Sequence, residues 1–319
     1  MTLRSQPMMT RRAFAATLMA GLAAPRVALA QDRVVVVGGG PAGTGLAWRL
    51  AQQRPRGAVV LIERDPTRFV PASGPFLRPG AGVSVTDLDR AGVDLVLDEI
   101  AQVDWRAARV LAQSGRHLAF DRLVLAPGTA AVRETLPGLT AHARHMWPAA
   151  WGARREAQRL AGQIAGLAPG AHLVLRLPAM LSHPEIAQAR AIALARMAPQ
   201  ARLTVLQDQD DPGLRDRVGT VLAGQGLAAP DWHLAGQGGR ILSIDAPTGL
   251  IETEAGGLRA DVVNFVPPHA AGPVARAAGL VDSSGWCPVD AQNRSRLRPQ
   301  VLVLGDARQG AQRMLPTLV

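Results

Sequence analysis

The most constraining feature of the chain is a glycine-rich turn that directly follows a run of valines. Residues 33–37 are an arginine and four valines, as expected of a parallel strand covered on both faces. The string GGGPAG comes next, and residues 44–53 predict a helix. This is a GxGxxG motif in its required context: Gly38 permits the tight turn, Gly40 lets a pyrophosphate approach the backbone, and Gly43 lets the helix pack closely on the strand. The segment therefore predicts a dinucleotide-binding unit.

A carboxylate at the end of the next predicted strand completes this unit. Residues 58–62 predict the strand, and Glu63 follows it, twenty residues after Gly43. A side chain at that place can accept a hydrogen bond from a ribose hydroxyl. The helix amino terminus, with its unpaired N–H groups and its dipole, is expected to receive the phosphates. Because the strand, the helix and the acidic residue all accompany the motif, a nucleotide-binding turn is favoured over a glycine-rich turn that binds nothing.

Two later segments favour FAD over NAD as the dinucleotide. Residues 120–129 read FDRLVLAPGT, the strand and glycine turn with which two-dinucleotide flavoproteins leave the FAD domain. Residues 301–307 read VLVLGDA and resemble the returning strand, where Asp306 would hydrogen-bond the ribityl or pyrophosphate part of the flavin nucleotide. The predicted cofactor-binding residues are Gly38, Gly40, Pro41, Ala42, Gly43, Glu63, Arg64, Gly128, Gly305 and Asp306.

Between these segments lies a second unit with the same predicted order of elements. Residues 173–177 and 202–206 predict strands, and residues 184–197 predict the helix between them. The connection before that helix reads PAMLSHP and contains no glycine, so its side chains would crowd a pyrophosphate and its prolines would remove N–H donors. The sequence thus predicts an α/β protein with two Rossmann-like dinucleotide-binding domains, the second of which does not bind NAD.

The first thirty residues have the three parts of an export signal. A basic start precedes an apolar run at residues 14–24 and the small-residue site Ala-Leu-Ala at residues 28–30. The string TRRAF at residues 10–14 matches the twin-arginine pattern. The apolar run is too short to span a bilayer, and Pro25 and Arg26 argue against an uncleaved anchoring helix. We therefore expect a periplasmic protein, exported by the twin-arginine route, without a stable membrane span.

The length of 319 residues suits two domains of about 150 residues each. The predicted order along the chain is a signal peptide at residues 1–30, a discontinuous FAD-binding domain at residues 31–130 and 266–319, and a central NAD-like domain at residues 131–265.

Charge, cysteine and histidine content exclude several kinds of site. All 35 basic residues are arginine and the formal net charge is +10, but the arginines are scattered and aromatic residues make up only 3% of the chain. This pattern disfavours a nucleic-acid partner. The single cysteine, Cys287, can form no internal disulfide and no cysteine-ligated metal cluster, and the seven histidines show no metal-ligand spacing. We therefore predict no metal site.

Five strings resemble one family, the flavoprotein subunit of flavocytochrome c sulfide dehydrogenase, a relative of sulfide:quinone oxidoreductase. They are VVVVGGGPAG, VVLIERD, FDRLVLAPG, the stretch at residues 260–290 that contains GWCPVD, and VLVLGDA. The resemblance covers nearly all of residues 31–307. It implies an FAD enzyme that oxidises sulfide in the periplasm and passes electrons to a c-type cytochrome subunit, or to a quinone as in the relative.

The chain departs from this family at its sulfur positions. The flavin-linking cysteine is replaced by Ala72, so noncovalent FAD is expected. The two redox cysteines fall where this chain has Ser182 beside His183, and Arg308. Cys287 is expected to be a packed thiol and His183 a surface residue without a role in proton transfer, so no catalytic residue is assigned. The family also continues into a final domain, which we expect to be absent from this chain.

Three functions remain open at this point. The first is an FAD-dependent dehydrogenase that takes electrons from a small sulfur compound or another small reductant, although the usual thiolate route lacks its cysteines. The second is a non-catalytic, flavin-binding subunit of a sulfur-oxidation complex. The third is an NAD(P)H-dependent reductase, which the glycine-free connection disfavours.

Overall fold

Two parallel β-sheets flanked by helices organise this computed structural model, which describes residues 32–69, 76 and 82–313. The strands are β1 (Val34–Val37), β2 (Val59–Glu63), β3 (Asp94–Leu97), β4 (Ile100–Asp104), β5 (Arg109–Ala112), β6 (His117–Ala119), β7 (Arg122–Leu125), β8 (Thr129–Ala131), β9 (His172–Leu177), β10 (Arg202–Gln207), β11 (Asp231–His233), β12 (Ile241–Asp245), β13 (Leu250–Thr253), β14 (Gly256–Arg259), β15 (Val262–Phe265), β16 (His269–Ala271) and β17 (Leu302–Val303). The α-helices are α1 (Pro41–Ala51), α2 (Val85–Ala91), α3 (Ala141–Met146), α4 (Arg154–Ala165), α5 (Pro184–Met197), α6 (Gly213–Ala223) and α7 (Pro273–Ala277).

The first sheet has the order β17-β7-β1-β2-β3, and all of its pairings are parallel. The valines of β1 lie between Val59 of β2 and Arg122 of β7 at one end and continue in register to Ile62 and Leu125. All four valines are buried, because packing covers the sheet on both faces. Since the strands are parallel, their carboxyl ends meet at one edge.

The second sheet has the order β11-β10-β9-β15 and is also parallel throughout. Every residue of β9 is buried, and α5 and α6 pack together beside it. The prediction of two Rossmann-like sheets in an α/β protein is confirmed. The predicted helix at residues 184–197 has the bounds of α5, whereas the two predicted strands each extend one residue further in β9 and β10.

Three smaller antiparallel sheets accompany the two parallel ones. The strands β4, β5 and β6 form one three-stranded sheet, and β12, β13 and β14 form another. A two-stranded ribbon pairs β8, which follows the first sheet, with β16, which follows the second, so that Ala131 lies opposite His269. The ribbon therefore brings the exits of both sheets together.

The predicted signal peptide and Ala72 lie outside the described residues. The strands of the first sheet come from residues 34–125 and 302–303, and those of the second from residues 172–265. The domain boundaries given above stay a prediction. Among the described residues, the helices are too short or too polar to cross a bilayer.

Candidate cofactor-binding site

The turn between β1 and α1 contains two glycines that have no room for a side chain and one that faces open space. Gly38 has φ +111°, and a Cβ there would clash with the carbonyl oxygen of Ala126. A Cβ on Gly43 would clash with the carbonyl oxygen of Gly38. A Cβ on Gly40 would have no atom within 4 Å, because Gly40 faces open space. The chain therefore needs two of these glycines to fold, and Gly40 leaves an approach to the backbone open.

Helix α1 begins at this turn without a side-chain cap. Gly40 is its N-cap residue, Pro41 occupies the first turn, and no side chain accepts a hydrogen bond at the cap. The first N–H groups of a helix have no partner inside the helix, and the helix dipole places partial positive charge at the same end. The amino terminus of α1 is therefore open to a phosphate group.

Glu63 lies at the carboxyl end of β2, next to the glycine turn. Its Oε2 atom accepts a hydrogen bond of 2.6 Å from the backbone N–H of Gly39, and its Oε1 atom accepts one of 2.8 Å from Asp65. The Arg68 side chain lies 4.0 Å from the same carboxylate. Although Glu63 is buried, it lines the cavity beside the turn. Its remaining lone pairs can accept hydrogen bonds from hydroxyl groups of a ligand.

The returning strand brings Asp306 to this cavity, in a turn that lies close to Ala42 at the start of α1. A 3₁₀ turn at Gly305–Ala307 follows β17, and Gly305 adopts φ +71° at its start. The Asp306 side chain is 38% exposed, and the backbone carbonyl of Asp306 accepts a hydrogen bond from Arg313. The carboxylate is therefore positioned by a rigid turn and is accessible to a ligand.

All ten predicted cofactor-binding residues line one cavity of about 330 Å³. They come from three glycine-containing turns and from the end of β2, which lie far apart in sequence. The structure brings together Gly38, Gly40, Pro41, Ala42, Gly43, Glu63, Arg64, Gly128, Gly305 and Asp306. Their geometry suits a dinucleotide, and their contact with FAD stays a prediction.

Other lining residues were missed by the sequence analysis. Asp98 and Glu99 lie between β3 and β4, and Glu99 pairs with Arg64 at 3.0 Å. The hydroxyl of Ser114 donates a hydrogen bond to Asp98 and lowers the pKa of that carboxyl group. Ile186 reaches the cavity from α5 in the second unit. These residues carry no motif; only their place after a third parallel strand could have indicated Asp98 and Glu99.

His183 corrects one expectation, because it is fully buried and does not lie on the surface. Its Nδ1 atom is 2.6 Å from the Ser182 hydroxyl, and its Nε2 atom is 4.0 Å from the Asp306 carboxylate. The rings of Trp151 and His269 lie about 6 Å away, each nearly perpendicular to the His183 ring. Within the connection before α5, Ala179 and Met180 are exposed, whereas His183 is buried beside the turn that carries Asp306.

Neither Cys287 nor Arg308, which stands at one of the family's redox-cysteine positions, supplies a thiolate to this cavity. Cys287 is buried, and burial raises the pKa of its thiol to about 11. It is not among the described residues that line the cavity. Arg308 donates hydrogen bonds to the Gly305 carbonyl and to the Asn293 side chain. The described part of the chain therefore presents no thiolate to this cavity.

Comparison with known proteins agrees with this geometry. Residues 32–168 match the family model described as pyridine nucleotide-disulphide oxidoreductase. The sulfide:quinone oxidoreductase of Aquifex aeolicus is 18% identical with a TM-score of 0.59, and the match covers 87% of this chain and 69% of that one. The NAD-dependent persulfide reductase of A. fulgidus is 17% identical with a TM-score of 0.65, and the match covers 86% of this chain and 53% of that one.

A ferredoxin reductase of Rhodopseudomonas palustris is 18% identical with a TM-score of 0.65, and the match covers 87% of this chain and 68% of that one. This chain thus spans between 53% and 69% of the length of these three proteins. At such identities each likeness shows a shared fold. The family model matches residues 32–168, less than half of the chain, so this match is a likeness over that part of the chain.

Proposed function

We propose that the protein is an FAD-dependent oxidoreductase of the sulfide dehydrogenase type. It would pass electrons from a small reductant, such as a sulfur compound, to a c-type cytochrome or a quinone. The observation that carries this proposal is the single cavity lined by all ten residues that the sequence assigns to FAD. The glycine turn, the end of β2 and the Gly-Asp turn all border this cavity, which supports one extended ligand that contacts all three.

The residues present fit FAD. Gly40 leaves the space that a pyrophosphate needs, and the uncapped start of α1 supplies N–H donors for it. Glu63 would accept hydrogen bonds from the adenosine ribose, and Asp306 would hold the ribityl or pyrophosphate part. When bound, the flavin supplies the capacity to accept two electrons from the reductant. Because Cys287 is buried away from the cavity, the attachment would be noncovalent.

Cys287 favours a second candidate function. Sulfide oxidation through a persulfide needs a thiolate near the flavin, and a buried thiol with a pKa of about 11 does not supply one near neutral pH. A non-catalytic, flavin-binding subunit of a sulfur-oxidation complex is therefore the alternative. Under the first proposal, the reductant must react without a protein persulfide.

The second unit does not fit a pyridine nucleotide. Its helix α5 begins at Pro184, and the preceding His183 is fully buried where a nucleotide fold places its phosphate-binding turn. Pro184 has no N–H group to donate, and the connection offers no glycine for close approach. We therefore propose that electrons do not come from NAD(P)H.

The partners and the compartment are also proposals. The twin-arginine pattern in residues 1–30 supports export to the periplasm, where a c-type cytochrome would be available. Two structural neighbours are named as a sulfide:quinone oxidoreductase and a ferredoxin reductase, so a quinone or another electron carrier is a reasonable acceptor to test. Scattered arginines and few aromatic residues support the absence of a nucleic-acid partner.

An anaerobic absorbance titration tests the proposal. The purified protein is incubated with FAD, freed of excess cofactor and titrated with sulfide, with NADH as the control reductant. Bleaching of the flavin bands by sulfide but not by NADH supports the dehydrogenase. Flavin bands that neither reductant changes support the non-catalytic subunit, and bleaching by NADH contradicts both. Failure of the folded protein to retain any FAD overturns the cofactor assignment itself.

A further inference from the structure

The cavity of about 330 Å³ lined by the ten predicted residues is called the cofactor cavity below. A second cavity, of about 540 Å³, lies beside it. The two cavities share Arg64, Arg68 and Thr129 as lining residues, so they are neighbours. The second cavity lies between the segment that follows β8 and the residues that flank α3 and α4. Its volume is in the range of small-molecule sites in proteins.

Three aromatic side chains are among the residues that line this second cavity. Trp147, Trp151 and Phe265 line it, and all three are buried. The rings of Trp147 and Phe265 stack with centroids 6.5 Å apart and an interplanar angle of 24°. Flat aromatic side chains bury much apolar area and pack best against other planar groups. These side chains therefore give the cavity an aromatic surface against which a planar, apolar ligand body can lie.

The acidic residues of this cavity already accept hydrogen bonds from the protein. Both carboxylate oxygens of Glu134 accept from Arg176, at 2.6 and 2.9 Å. Glu156 accepts a bond of 3.0 Å from the Ala150 N–H, and Asp65 accepts two from Thr67. Their acceptor capacity is therefore largely committed within the fold.

Three donors that line the second cavity are less committed, whereas Arg64 pairs with Glu99. Arg133 is exposed and forms no hydrogen bond or ion pair with another described residue. Arg144 is exposed too, and its bond in the described part of the chain is a long one, 3.4 Å, to the Glu134 carbonyl. The buried Nε1 atom of Trp151 has no acceptor among the described residues. The groups left for a ligand are donors, two of them cationic, so an oxygen-bearing anion complements them.

We propose that the second cavity is a binding site for a planar organic anion, an aromatic or conjugated carboxylate. The apolar body lies against Trp147, Trp151 and Phe265, and the carboxylate pairs with Arg133 and Arg144. This site goes beyond the proposed function and does not require bound FAD.

Isothermal titration calorimetry with 2-naphthoate, and with the neutral 2-naphthamide as its matched comparator, tests this site. Both probes are titrated into the protein with and without FAD. We expect naphthoate to bind roughly tenfold more tightly than the amide, and the R133A/R144A double variant to lose that preference while still binding the amide. The R116A variant, which removes an exposed arginine on the β4–β6 sheet, should bind both probes as the parent does.

Three results would overturn the proposal. Equal affinity for naphthoate and the amide would show that the arginines do not recognise a charge. Competition between FAD and naphthoate would show that the two cavities are one site. Absence of binding to a folded protein would show that the cavity does not hold such a ligand. Each probe is tested with and without FAD. The titrations without FAD therefore test the second cavity even if the protein binds no FAD.

Discussion

At the scale of single residues, the glycine turn separates the requirements of folding from those of binding. Gly38 and Gly43 face backbone oxygens, so a methyl group at either place meets protein. Gly40 faces open space and lines the cofactor cavity, so a methyl group there meets ligand. The GxGxxG motif predicted this division, and the structure adds that Gly38 faces Ala126, which lies in a turn far away in sequence.

Replacing Gly40 with alanine should weaken FAD binding and leave the fold intact. The free energy of unfolding should fall by at most about 1 kcal/mol, the usual cost of a poorer N-cap residue. The matched G43A variant should lose about 2 kcal/mol or more, because its methyl group overpacks the turn. Chemical denaturation of the apoprotein and FAD titration measure the two effects. Normal FAD affinity in G40A would contradict the assignment of the turn.

Cys287 makes stability depend on pH in alkaline solution. Burial raises the pKa of its thiol from 9.0 to about 11, so the thiol stays protonated in the folded state while the unfolded chain releases that proton. The contribution of this thiol to the free energy of unfolding should therefore be constant below pH 9. It should fall between pH 9 and 11, by on the order of 2 kcal/mol.

The sequence makes this pH measurement unusually clean. The chain has no tyrosine and no lysine, so no other type of side chain titrates in that window. Urea denaturation at several pH values should show the slope in the parent protein and not in the C287A variant. A slope that persists in C287A would show that a group other than the thiol is responsible. Cys287 should also resist alkylation in the native state at pH 8.

At the scale of elements, a buried ion pair fastens β9 to the segment that follows β8. Arg176 lies in β9 and forms a bidentate pair with Glu134, while its guanidinium also stacks over the Phe265 ring at 4.6 Å. Removing Arg176 leaves the half-buried carboxylate of Glu134 without its partner, and removing Glu134 leaves a buried guanidinium without one. The pair therefore positions the ribbon between the sheets, and with it one wall of the second cavity.

The R176A variant should lose about 3 to 5 kcal/mol of unfolding free energy, the typical effect of breaking a buried pair. The matched double variant R176M/E134L removes both charges and should recover most of that loss, since apolar side chains replace a buried pair well. Thermal or urea denaturation of the parent, R176M, E134L and R176M/E134L gives the coupling energy between the two residues. Equal losses in R176A and the double variant would show that the pair is not coupled.

The connection between β9 and α5 carries a prediction about the donor of electrons. Helix α5 begins with Pro184, which has no N–H group to donate, and the connection contains no glycine that would let a phosphate approach the backbone. NADH and NADPH should therefore give no heat of binding in calorimetry, with or without FAD. Saturable binding of either nucleotide would show that the connection opens, and would restore the NAD(P)H-dependent reductase as a candidate.

At the scale of the whole molecule, the cofactor cavity joins parts of the chain that are far apart in sequence. The glycine turn lies near residue 40, and Asp306 returns to it from the far end of the described chain. A ligand that bridges both ends stabilises the folded state by mass action. At a concentration of 100 times its dissociation constant, FAD should add about 2.7 kcal/mol.

Differential scanning fluorimetry can measure this stabilisation. The melting temperature should rise with FAD concentration in the parent protein, and the rise should be much smaller in D306N. The D94N variant, altered at an exposed carboxylate of β3, is the matched control and should behave as the parent does. An equal rise in D306N would show that the Gly-Asp turn does not contact the cofactor.

The sequence by itself determined the two Rossmann-like sheets and the ten residues around the cofactor cavity. Buried parallel strands require continuous apolar runs, and backbone turns at phosphate sites require glycine at fixed spacing, so both features are written locally in the chain. Only the tertiary structure decided that His183 is buried against Asp306, and that a second cavity lies beside the first. These depend on contacts between distant segments, such as Trp147 with Phe265, which no local pattern of residues specifies.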